Sequence, residues 1–517
     1  VITTCNGGEG TDWNVIPNWS GTYGGDVTKY GRELSQANQL LNGEYGAWRS
    51  IDLHTEPGDF QVNGVWSEDR MCQLMETKIR LAEQAKDSVC GQFQWIYSSH
   101  DNPGRRQPDE AYRKIDKVGP FNYKGLVTPW EEPLDVYYMY RANYVPAAKD
   151  PMVYLVSHTW ANRFEKGRRR ATIGAYSNCD SVLLYNDMSN EKVTYLGRKK
   201  NNGTGTHFMW ENRDIRYNVL RAVGYYKGKA VAEDILVLNG LEQAPHFGIL
   251  YQDTKPLLKG EDGYNYLYRI NCGGDDFTDS FGQLWMQDNT NYSRSWAASF
   301  NELNPYLASQ RTTNDPIRGS RDWKLFQYFR FGRHQLEYNF PVADGMYRIE
   351  FYFTEPWHGT GGSASADCEG LRIFDVAVND SVVLDDLDIW AESGHDGACK
   401  KVVYAIVKGG LLKIHFPEVK AGQALISGIS IASANSGSNS APFSPPTPPG
   451  TFRTPGTPWA ADVLNGCTSS LCRKFWTRRN SRRQKCSCQH SLRSGSCCTE
   501  RKIPEERTPQ TDGCFLW

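Results

Sequence analysis

The chain of 517 residues is long enough for about three domains of ordinary size. Its 58 Lys and Arg residues balance its 59 Asp and Glu residues, which argues against a nucleic-acid binder with a strongly basic surface. No stretch reaches the roughly 18 consecutive apolar residues that a membrane-spanning helix needs. Aromatic residues form 13% of the chain, and such rings either stack on sugar rings or fill the cores of β-sandwiches.

Residues 1–147 alternate between short apolar runs and longer helical patterns, which predicts parallel βα units. A helix is expected near 66–87, because Ser67 is a suitable N-cap and apolar residues follow it at helical spacing. A second amphipathic segment covers 137–144. About four strands fit into this region, whereas a closed (β/α) barrel needs eight, so the prediction is half a barrel. The expected strands are 1–5, 13–17, 40–45 and 89–97.

Two all-β units are expected after this region. Residues 148–245 contain short alternating runs separated by polar turns such as 227–229, which predicts an antiparallel β-sandwich. In residues 262–433 the alternation is clearest at 347–353, where every second residue is apolar. One face of each strand is therefore expected to be buried, and a jelly roll is the expected closure.

Residues 434–517 differ in composition from the rest of the chain. Residues 434–458 are rich in Ser, Pro, Thr and Gly, which is typical of a linker. The remainder is basic, contains seven of the 14 Cys residues and has no apolar periodicity. It is expected to be either a disordered tail or a segment read in the wrong frame, and a frameshift in the coding sequence is the leading hypothesis. Its Cys residues lack the paired Cys-x-x-Cys spacing of zinc modules, and we predict neither a metal site nor a cofactor.

The most informative motif is Leu41-Asn42-Gly43-Glu44-Tyr45-Gly46-Ala47-Trp48, in which Glu44 stands at the end of a predicted strand. A carboxylate in this position can point into a barrel mouth as the nucleophile of a retaining glycosidase, and the Gly lets the chain turn away. A strand-end Glu more often forms a salt bridge, so the motif alone is a weak signal. The next strand, Gln92-Phe93-Gln94-Trp95-Ile96-Tyr97, is followed by a polar run that includes His100.

Two upstream segments complete a pattern, namely Cys5-Asn6-Gly7-Gly8-Glu9-Gly10 and Asn14-Val15-Ile16-Pro17-Asn18-Trp19-Ser20. Together the four segments resemble the second half of the barrel of family 2 glycoside hydrolases of the β-galactosidase kind. The resemblance implies that Glu44 is the nucleophile on the seventh strand and that Trp95 stacks on the sugar from the eighth. It also implies substrate-binding roles, which fall on Glu9, Asn18, Trp19 and His100. Trp19 stands where many members carry a Tyr that hydrogen-bonds the nucleophile.

This sequence lacks one motif that the resemblance leads us to expect, the one that carries the general acid/base. The general acid/base of the family is the Glu of an Asn-Glu pair on the fourth strand, and this pair would precede Val1. No Asn-Glu pair follows a strand within 1–145. The chain is therefore expected to be a truncated enzyme that sustains little hydrolysis by itself.

The two all-β units resemble known modules. Residues 148–245 are similar to the immunoglobulin-like domain that follows such barrels in bacterial family 2 enzymes. Residues 262–433 resemble malectin, a carbohydrate-binding jelly roll, through Tyr268-Arg269-Ile270-Asn271-Cys272-Gly273-Gly274, Phe374-Asp375-Val376-Ala377-Val378-Asn379 and Asp386-Leu387-Asp388-Ile389-Trp390. The resemblance implies sugar binding by loop aromatics, for which Trp285, Tyr306 and Trp357 are the candidates. Packing of one domain against another is the alternative role for these rings.

These features predict a retaining bacterial exo-glycosidase, periplasmic or secreted, that acts on β-galactosides. Its expected partner is an oligosaccharide or polysaccharide substrate, with no nucleic acid and no membrane span. One rival interpretation is a non-catalytic carbohydrate-binding protein that acts through the malectin-like unit. Another is an interaction scaffold without affinity for sugars.

Overall fold

The computed structural model describes residues 15–435 with internal gaps, and these residues belong to one compact unit. The predictions for 1–14, for the linker and for the Cys-rich tail lie outside the described residues. The gaps are at 23, 37–40, 49–66, 102–120, 123, 130, 161–162, 165–169, 252, 290–292, 297–309 and 360–366.

The N-terminal region forms a parallel sheet with helices between its strands, as the alternating pattern predicts. The sheet has the order β1 (Val15–Ile16), β2 (Leu41–Gly46) and β3 (Gly91–Trp95). Helix α1 (Tyr30–Gln36) connects the first pair of strands and α2 (Glu68–Gln84) connects the second. The described strands form an open sheet, and a closed eight-stranded barrel is not shown by them.

Helix α2 begins where the sequence predicts. The Ser67 side chain accepts a hydrogen bond from the Arg70 backbone N–H at 3.1 Å, which satisfies one of the free donors of the first turn. The apolar face of α2, including Met71 and Met75, packs against helix α3 (Asp135–Tyr144). A short antiparallel pair, β4 (His100–Asp101) and β5 (Phe121–Asn122), lies between β3 and α3 in the chain.

The second region is an antiparallel sandwich, also as predicted. Among the described residues, β6, β7 and β10 form one sheet, and β8, β9, β11 and β12 form the other. At the β11–β12 turn, Lys227 and Gly228 have φ values of 49° and 79°, and tight hairpins need such successive positive angles. The strands are β6 (Val153–Val156), β7 (Arg170–Ser177), β8 (Ser181–Tyr185), β9 (Tyr195–Lys200), β10 (Phe208–Asp214), β11 (Val219–Tyr226) and β12 (Lys229–Val237).

The third region has two larger sheets of the jelly roll and a small third sheet. Two short helices interrupt its strands, α4 (Trp323–Gln327) and α5 (Ile389–Ser393). The strands are β13 (Tyr264–Asn271), β14 (Phe277–Thr278), β15 (Leu284–Gln287), β16 (Ser293–Trp296), β17 (Gln310–Thr312), β18 (Tyr328–Gly332), β19 (His334–Pro341), β20 (Gly345–Phe353), β21 (Ile373–Val378), β22 (Ser381–Leu387), β23 (Cys399–Val407), β24 (Leu411–His415), β25 (Val419–Ala421), β26 (Ala424–Ile426) and β27 (Gly428–Ala434).

Strand β20 shows where simple alternation fails. Ile349 and Phe351 point into the jelly-roll core, as the pattern predicts. The intervening Glu350 and Tyr352 are also buried, because Tyr352 belongs to a second apolar cluster that includes residues of the sandwich such as Val219. The expectation of one solvent-facing side is therefore wrong at these two positions.

Candidate active site

Glu44 lies near the carboxyl end of β2 and is half-buried. The register of β2 against β3 shifts at this point, so that Gly43 and Glu44 together oppose Phe93. Such a β-bulge bends the strand and changes the direction of a side chain, and bulges are common beside active sites. The flanking partners are Leu41 with Gly91, Asn42 with Gln92, Tyr45 with Gln94, and Gly46 with Trp95.

The chain turns away from the sheet directly after this bulge. Gly46 has a φ of 98°, which L-residues with a side chain rarely adopt. A Cβ at this position would lie 2.2 Å from the Gln94 side chain. The next backbone N–H, that of Ala47, donates to the Trp95 carbonyl at 2.8 Å. Gly46 therefore provides the turn that the motif predicts, and it brings the ends of β2 and β3 together.

A hydrogen-bonded chain connects helix α3 to both strands. The hydroxyls of Tyr45 and Tyr140 lie 2.8 Å apart, and Tyr140 donates to Gln94 Oε1 at 2.9 Å. Tyr45 and Tyr140 are both buried. Because a buried polar network tolerates few alternative geometries, these contacts fix the relative position of the two strand ends.

Lys78 supports the same turn from helix α2. Its Nζ donates to Thr22 Oγ1 at 2.9 Å, and that hydroxyl donates to the Gly46 carbonyl at 2.8 Å. The Lys78 side chain is fully buried, and burial lowers its pKa to about 7. Sequence reasoning missed this residue, because a Lys within a helix is normally a solvated surface residue.

Asn18 and Trp95 are two further predicted substrate-binding residues near the strand end that carries Glu44. Asn18 is close, since its backbone N–H donates to the Glu44 carbonyl at 2.9 Å, while its side-chain amide donates to Glu33 Oε2 at 3.1 Å. Trp95 is half-buried and ends the neighbouring strand. Glu9 lies outside the described residues.

Trp19 and His100 are the remaining predicted substrate-binding residues. Trp19 is half-buried and follows Asn18, and its carbonyl accepts a hydrogen bond from the Thr22 N–H at 2.8 Å. His100 lies on β4, which pairs with β5 rather than with the parallel sheet. The structure therefore brings Asn18, Glu44 and Trp95 to one edge and leaves His100 on a separate pair of strands.

The predicted sugar-binding role of two aromatics in the jelly roll is not supported by their environment. Trp285 is on strand β15, fully buried, and its Nε1 donates to Asp279 Oδ2 at 2.9 Å. Trp357 is 5% exposed and packs edge-to-face on Phe329 and Phe331. Trp285 therefore lies on a strand rather than in a loop, and the burial of both rings favours the alternative role, packing of one part of the chain against another. Tyr306 lies outside the described residues.

The surroundings of Trp357 leave little space for a ligand. The guanidinium groups of Arg311 and Arg372 lie 5.5 and 5.2 Å from the centroid of its ring. The cavity that the ring lines is about 20 Å³, which is enough for a water molecule and far too small for a sugar ring.

A buried ion cluster joins the jelly roll to the N-terminal region at this place. Arg372, fully buried, donates to Glu355 Oε2 at 2.5 Å and to Glu132 Oε1 at 3.3 Å. Gln423 Nε2 donates to the other oxygen of Glu132 at 2.9 Å. Burial alone would raise the pKa of Glu355, but Arg372 overcomes this effect and holds that pKa at about 2. Sequence reasoning missed Glu132, since its partners lie in a different domain.

Glu132 belongs to a loop that contacts the chain just after Trp95. The Leu126 N–H donates to the Tyr97 carbonyl at 2.7 Å, and the Ser99 N–H donates to the Val127 carbonyl at 3.0 Å. The loop 124–134 is thus held by the strand-end segment on one side and by Arg372 on the other. The jelly roll consequently supports the edge of the sheet that carries the candidate site.

Parts of the chain match known proteins. The malectin domain family matches residues 266–435. The putative beta-glucuronidase of Formosa agariphila is 26% identical over 247 residues, which cover 43% of this chain and 28% of that protein. Malectin of Danio rerio is 26% identical over 150 residues, which cover 29% of this chain and 47% of that protein. The solved beta-glucuronidase 2 of Bacteroides uniformis has 22% identity and a TM-score of 0.34, with 81% of this chain and 45% of that chain covered.

These matches define a glycoside-hydrolase-like protein that contains a malectin domain. The predicted malectin resemblance is confirmed, and the predicted relationship to glycosidases is confirmed through a β-glucuronidase relative. The chain spans 28% of the length of that relative. In the described part of the chain, no helix has the length and apolar character that crossing a bilayer requires.

Proposed function

We propose that this chain contributes the nucleophile and a sugar-stacking ring to a retaining β-glycosidase. Glu44 is the nucleophile and Trp95 is the stacking ring. The observation that carries this proposal is the bulged end of β2, which carries Glu44 beside the strand that ends at Trp95. Carboxyl ends of parallel strands are the usual location of catalytic side chains in βα architectures.

The reaction follows from the chemistry of a carboxylate nucleophile. One oxygen of Glu44 attacks the anomeric carbon, the bond from that carbon to the leaving oxygen breaks, and a glycosyl ester forms. A second carboxyl, about 5–5.5 Å away, protonates the leaving oxygen and then removes a proton from the water that hydrolyses the ester. The family resemblance implies an earlier barrel strand for that acid, and within the present sequence Glu9 is the first candidate to test.

The substrate class that we infer is a β-glycoside, with β-glucuronides first. The Formosa agariphila relative is named as a putative beta-glucuronidase, whereas the sequence motifs resemble β-galactosidases. The two sugars differ at C6, where glucuronic acid carries a carboxylate. A direct comparison of nitrophenyl β-glucuronide with nitrophenyl β-galactoside therefore decides between them.

The test is covalent trapping of the nucleophile. A 2-deoxy-2-fluoro-β-glucuronyl fluoride has a leaving group that needs no protonation, so trapping does not depend on the general acid. We expect mass spectrometry of the treated full chain to find the sugar ester on Glu44. The variant Glu44→Gln should remain unlabelled, while Glu131→Gln, at an exposed position, should be labelled like the wild type. An ester on any other carboxylate, or none with the glucuronyl and galactosyl reagents, would reject the assignment.

A second function, carbohydrate binding, is supported by the match of residues 266–435 to the malectin domain. The burial of Trp357 means that such binding would use another surface of the jelly roll. A glycan array with the Glu44→Gln variant separates the two functions. If Glu44→Gln binds glycans as strongly as the wild type, and the wild type forms no covalent ester, the chain acts as a carbohydrate-binding protein rather than as an enzyme.

A further inference from the structure

A cluster of acidic and imidazole side chains is buried where the sandwich meets the jelly roll. Asp315 follows strand β17, and His395 and Asp396 follow helix α5. One nitrogen or oxygen from each of the three side chains lies within 4.8 Å of the others. The exposed fractions of Asp315 and Asp396 are 3% and 6%. The His395 side chain is 23% exposed, so the three potential ligands converge on one point at the edge of the buried region.

Two carboxylate oxygens in this cluster have no hydrogen-bond partner among the described residues, namely Asp315 Oδ2 and Asp396 Oδ1. The other oxygen of each group is engaged, that of Asp315 by His158 Nδ1 and that of Asp396 by His395 Nε2 at 2.7 Å. The two carboxyls also interact directly with each other. Buried polar atoms in folded proteins nearly always have a partner, and two carboxyl groups that face each other need either a shared proton or a cation between them.

The charges around the cluster indicate what that partner is. His158 lies between Asp315 and Asp234, with its Nε2 2.9 Å from Asp234 Oδ2. Three carboxyl groups, those of Asp234, Asp315 and Asp396, thus meet only two imidazoles, so the groups that can carry negative charge outnumber those that can carry positive charge. A divalent cation would remove the repulsion between the facing carboxyl groups of Asp315 and Asp396.

We propose that Asp315, His395 and Asp396 bind a divalent transition-metal ion. One imidazole nitrogen with two carboxylate oxygens is a donor set that suits ions such as Mn²⁺ and Zn²⁺. Asp315 is also hydrogen-bonded to His158 of the sandwich. Carboxylates that bind a metal ion commonly have such an outer hydrogen-bond partner, which orients them. All three ligands belong to the jelly roll, so the ion would cross-link two segments of that unit, and the contact between Asp315 and His158 would connect the site to the sandwich.

Backbone hydrogen bonds already hold the three ligands in place. The Asp396 N–H donates to the Glu355 carbonyl at 3.0 Å, and the Arg318 N–H donates to the Asp396 carbonyl at 2.9 Å. The Asn314 N–H donates to the His158 carbonyl at 2.8 Å. A site whose ligands are fixed before binding loses little conformational freedom when the ion enters.

Mn²⁺ is the probe of choice, because it prefers oxygen and nitrogen ligands and does not compete well for the Cys residues of the tail. The full chain is stripped with a chelator, titrated with MnCl₂ and followed by the loss of the electron paramagnetic resonance signal of free Mn²⁺. We expect one tightly bound ion per chain and a midpoint of thermal unfolding that rises by a few degrees when the ion is present. Absence of bound Mn²⁺ in the wild type overturns the proposal, and the two carboxyls then share a proton.

Two variants locate the ion. Asp396→Asn removes a charged ligand, yet its amide can donate to Asp315, so folding is preserved while the Mn²⁺ affinity falls by more than about 10²-fold. His395→Gln gives an independent second loss. The control is Asp385→Asn in a second acidic group, Asp375, Asp385 and Asp386, of which Asp385 and Asp386 are exposed; this variant should bind Mn²⁺ like the wild type. Loss of the ion in this control, or its retention in both ligand variants, contradicts the site.

Discussion

Two regions of the molecule carry a functionally suggestive glutamate, and they differ in what holds it. Glu44 is half-buried at a strand end, and its position is set by contacts within residues 15–145, namely the bulge, the Gly46 turn and the Tyr45–Tyr140 pair. Glu132 is 1% exposed and is held by Arg372 and Gln423, which lie 240 and 291 residues further along the chain.

The site around Glu44 depends on contacts within one region of the chain. The junction around Glu132 depends on contacts between regions that are far apart in sequence. The first leaves a carboxylate accessible, as a nucleophile must be. The second encloses a carboxylate with cationic and amide donors, which is an arrangement suited to joining domains. A substitution that destabilises the junction should therefore also loosen the loop 124–134 beside the candidate site. Removal of the Glu44 charge should leave the junction unchanged.

The largest effect is expected from Arg372→Met. The substitution leaves the carboxylates of Glu132 and Glu355 buried without their cation, which typically costs about 3–5 kcal/mol. Hydrogen exchange measured by mass spectrometry should show faster exchange in the loop 124–134 and in the segment after Trp95. The same substitution at Arg216, whose ion pair with Glu242 is exposed, should change neither. Slow exchange of the loop in Arg372→Met would mean that the junction does not hold the loop.

Adding Glu132→Gln sharpens this result. In Arg372→Met the Glu132 charge has lost its partner, so neutralising it should restore part of the lost stability. A double-mutant cycle measures the coupling between the two residues, which for contacting residues is about 0.5–3 kcal/mol. A coupling near zero would show that Gln423 rather than Arg372 retains Glu132.

Gly46→Ala should break the other region. A left-handed backbone costs a non-glycine residue about 1–2 kcal/mol, and displacement of Gln94 removes a hydrogen bond worth about 1 kcal/mol, so a total of about 2–3 kcal/mol is expected. Gly228→Ala is the matched control, because Gly228 has a φ of 79° and no atom within 4 Å of the added Cβ. Thermal unfolding should show a larger loss for Gly46→Ala, together with reduced trapping at Glu44. Equal losses would assign the whole effect to the backbone angle.

Lys78→Met should change how stability depends on pH. The folded pKa of Lys78, about 7, lies below its ordinary value of 10.5, so between these pH values the unfolded chain binds more protons. The stability of the wild type relative to Lys78→Met should therefore rise with pH across this window, by at most about 1.4 kcal/mol per pH unit. Denaturant titrations of both proteins at pH 7, 8 and 9 measure this difference. A constant difference would show that Lys78 remains charged in the folded chain.

Local patterns were sufficient to predict much of the first region. Helix α2 and its Ser67 cap follow from residues adjacent in sequence, and the turn at Gly46 follows from a glycine after a strand. The bulge at Glu44 was not predictable, because it is a property of the pairing between β2 and β3. Lys78 was missed because its burial depends on the sheet that covers α2.

The second region could not be predicted from patterns of neighbouring residues. For Trp285 and Trp357 the sequence left sugar binding and packing as alternatives, since a sequence does not reveal which part of the chain will cover a ring. Arg372 directly precedes β21, and the residues next to it in sequence do not indicate that Glu132 and Glu355 are its partners. Contacts between domains form when folded domains pack against each other. The periodicity of apolar residues within one segment does not indicate which other segment it will contact.

The separation of 291 residues between Glu132 and Gln423 has a consequence for biosynthesis. A ribosome adds about 5–20 residues per second, so Glu132 is synthesised about 15–60 s before Gln423. During that interval the nascent chain contains the Glu132 carboxylate but not yet the residues Arg372 and Gln423 that bury it in the folded protein. The loop that borders the candidate site can thus reach its final contacts only after Arg372 and Gln423 of the jelly roll have been synthesised.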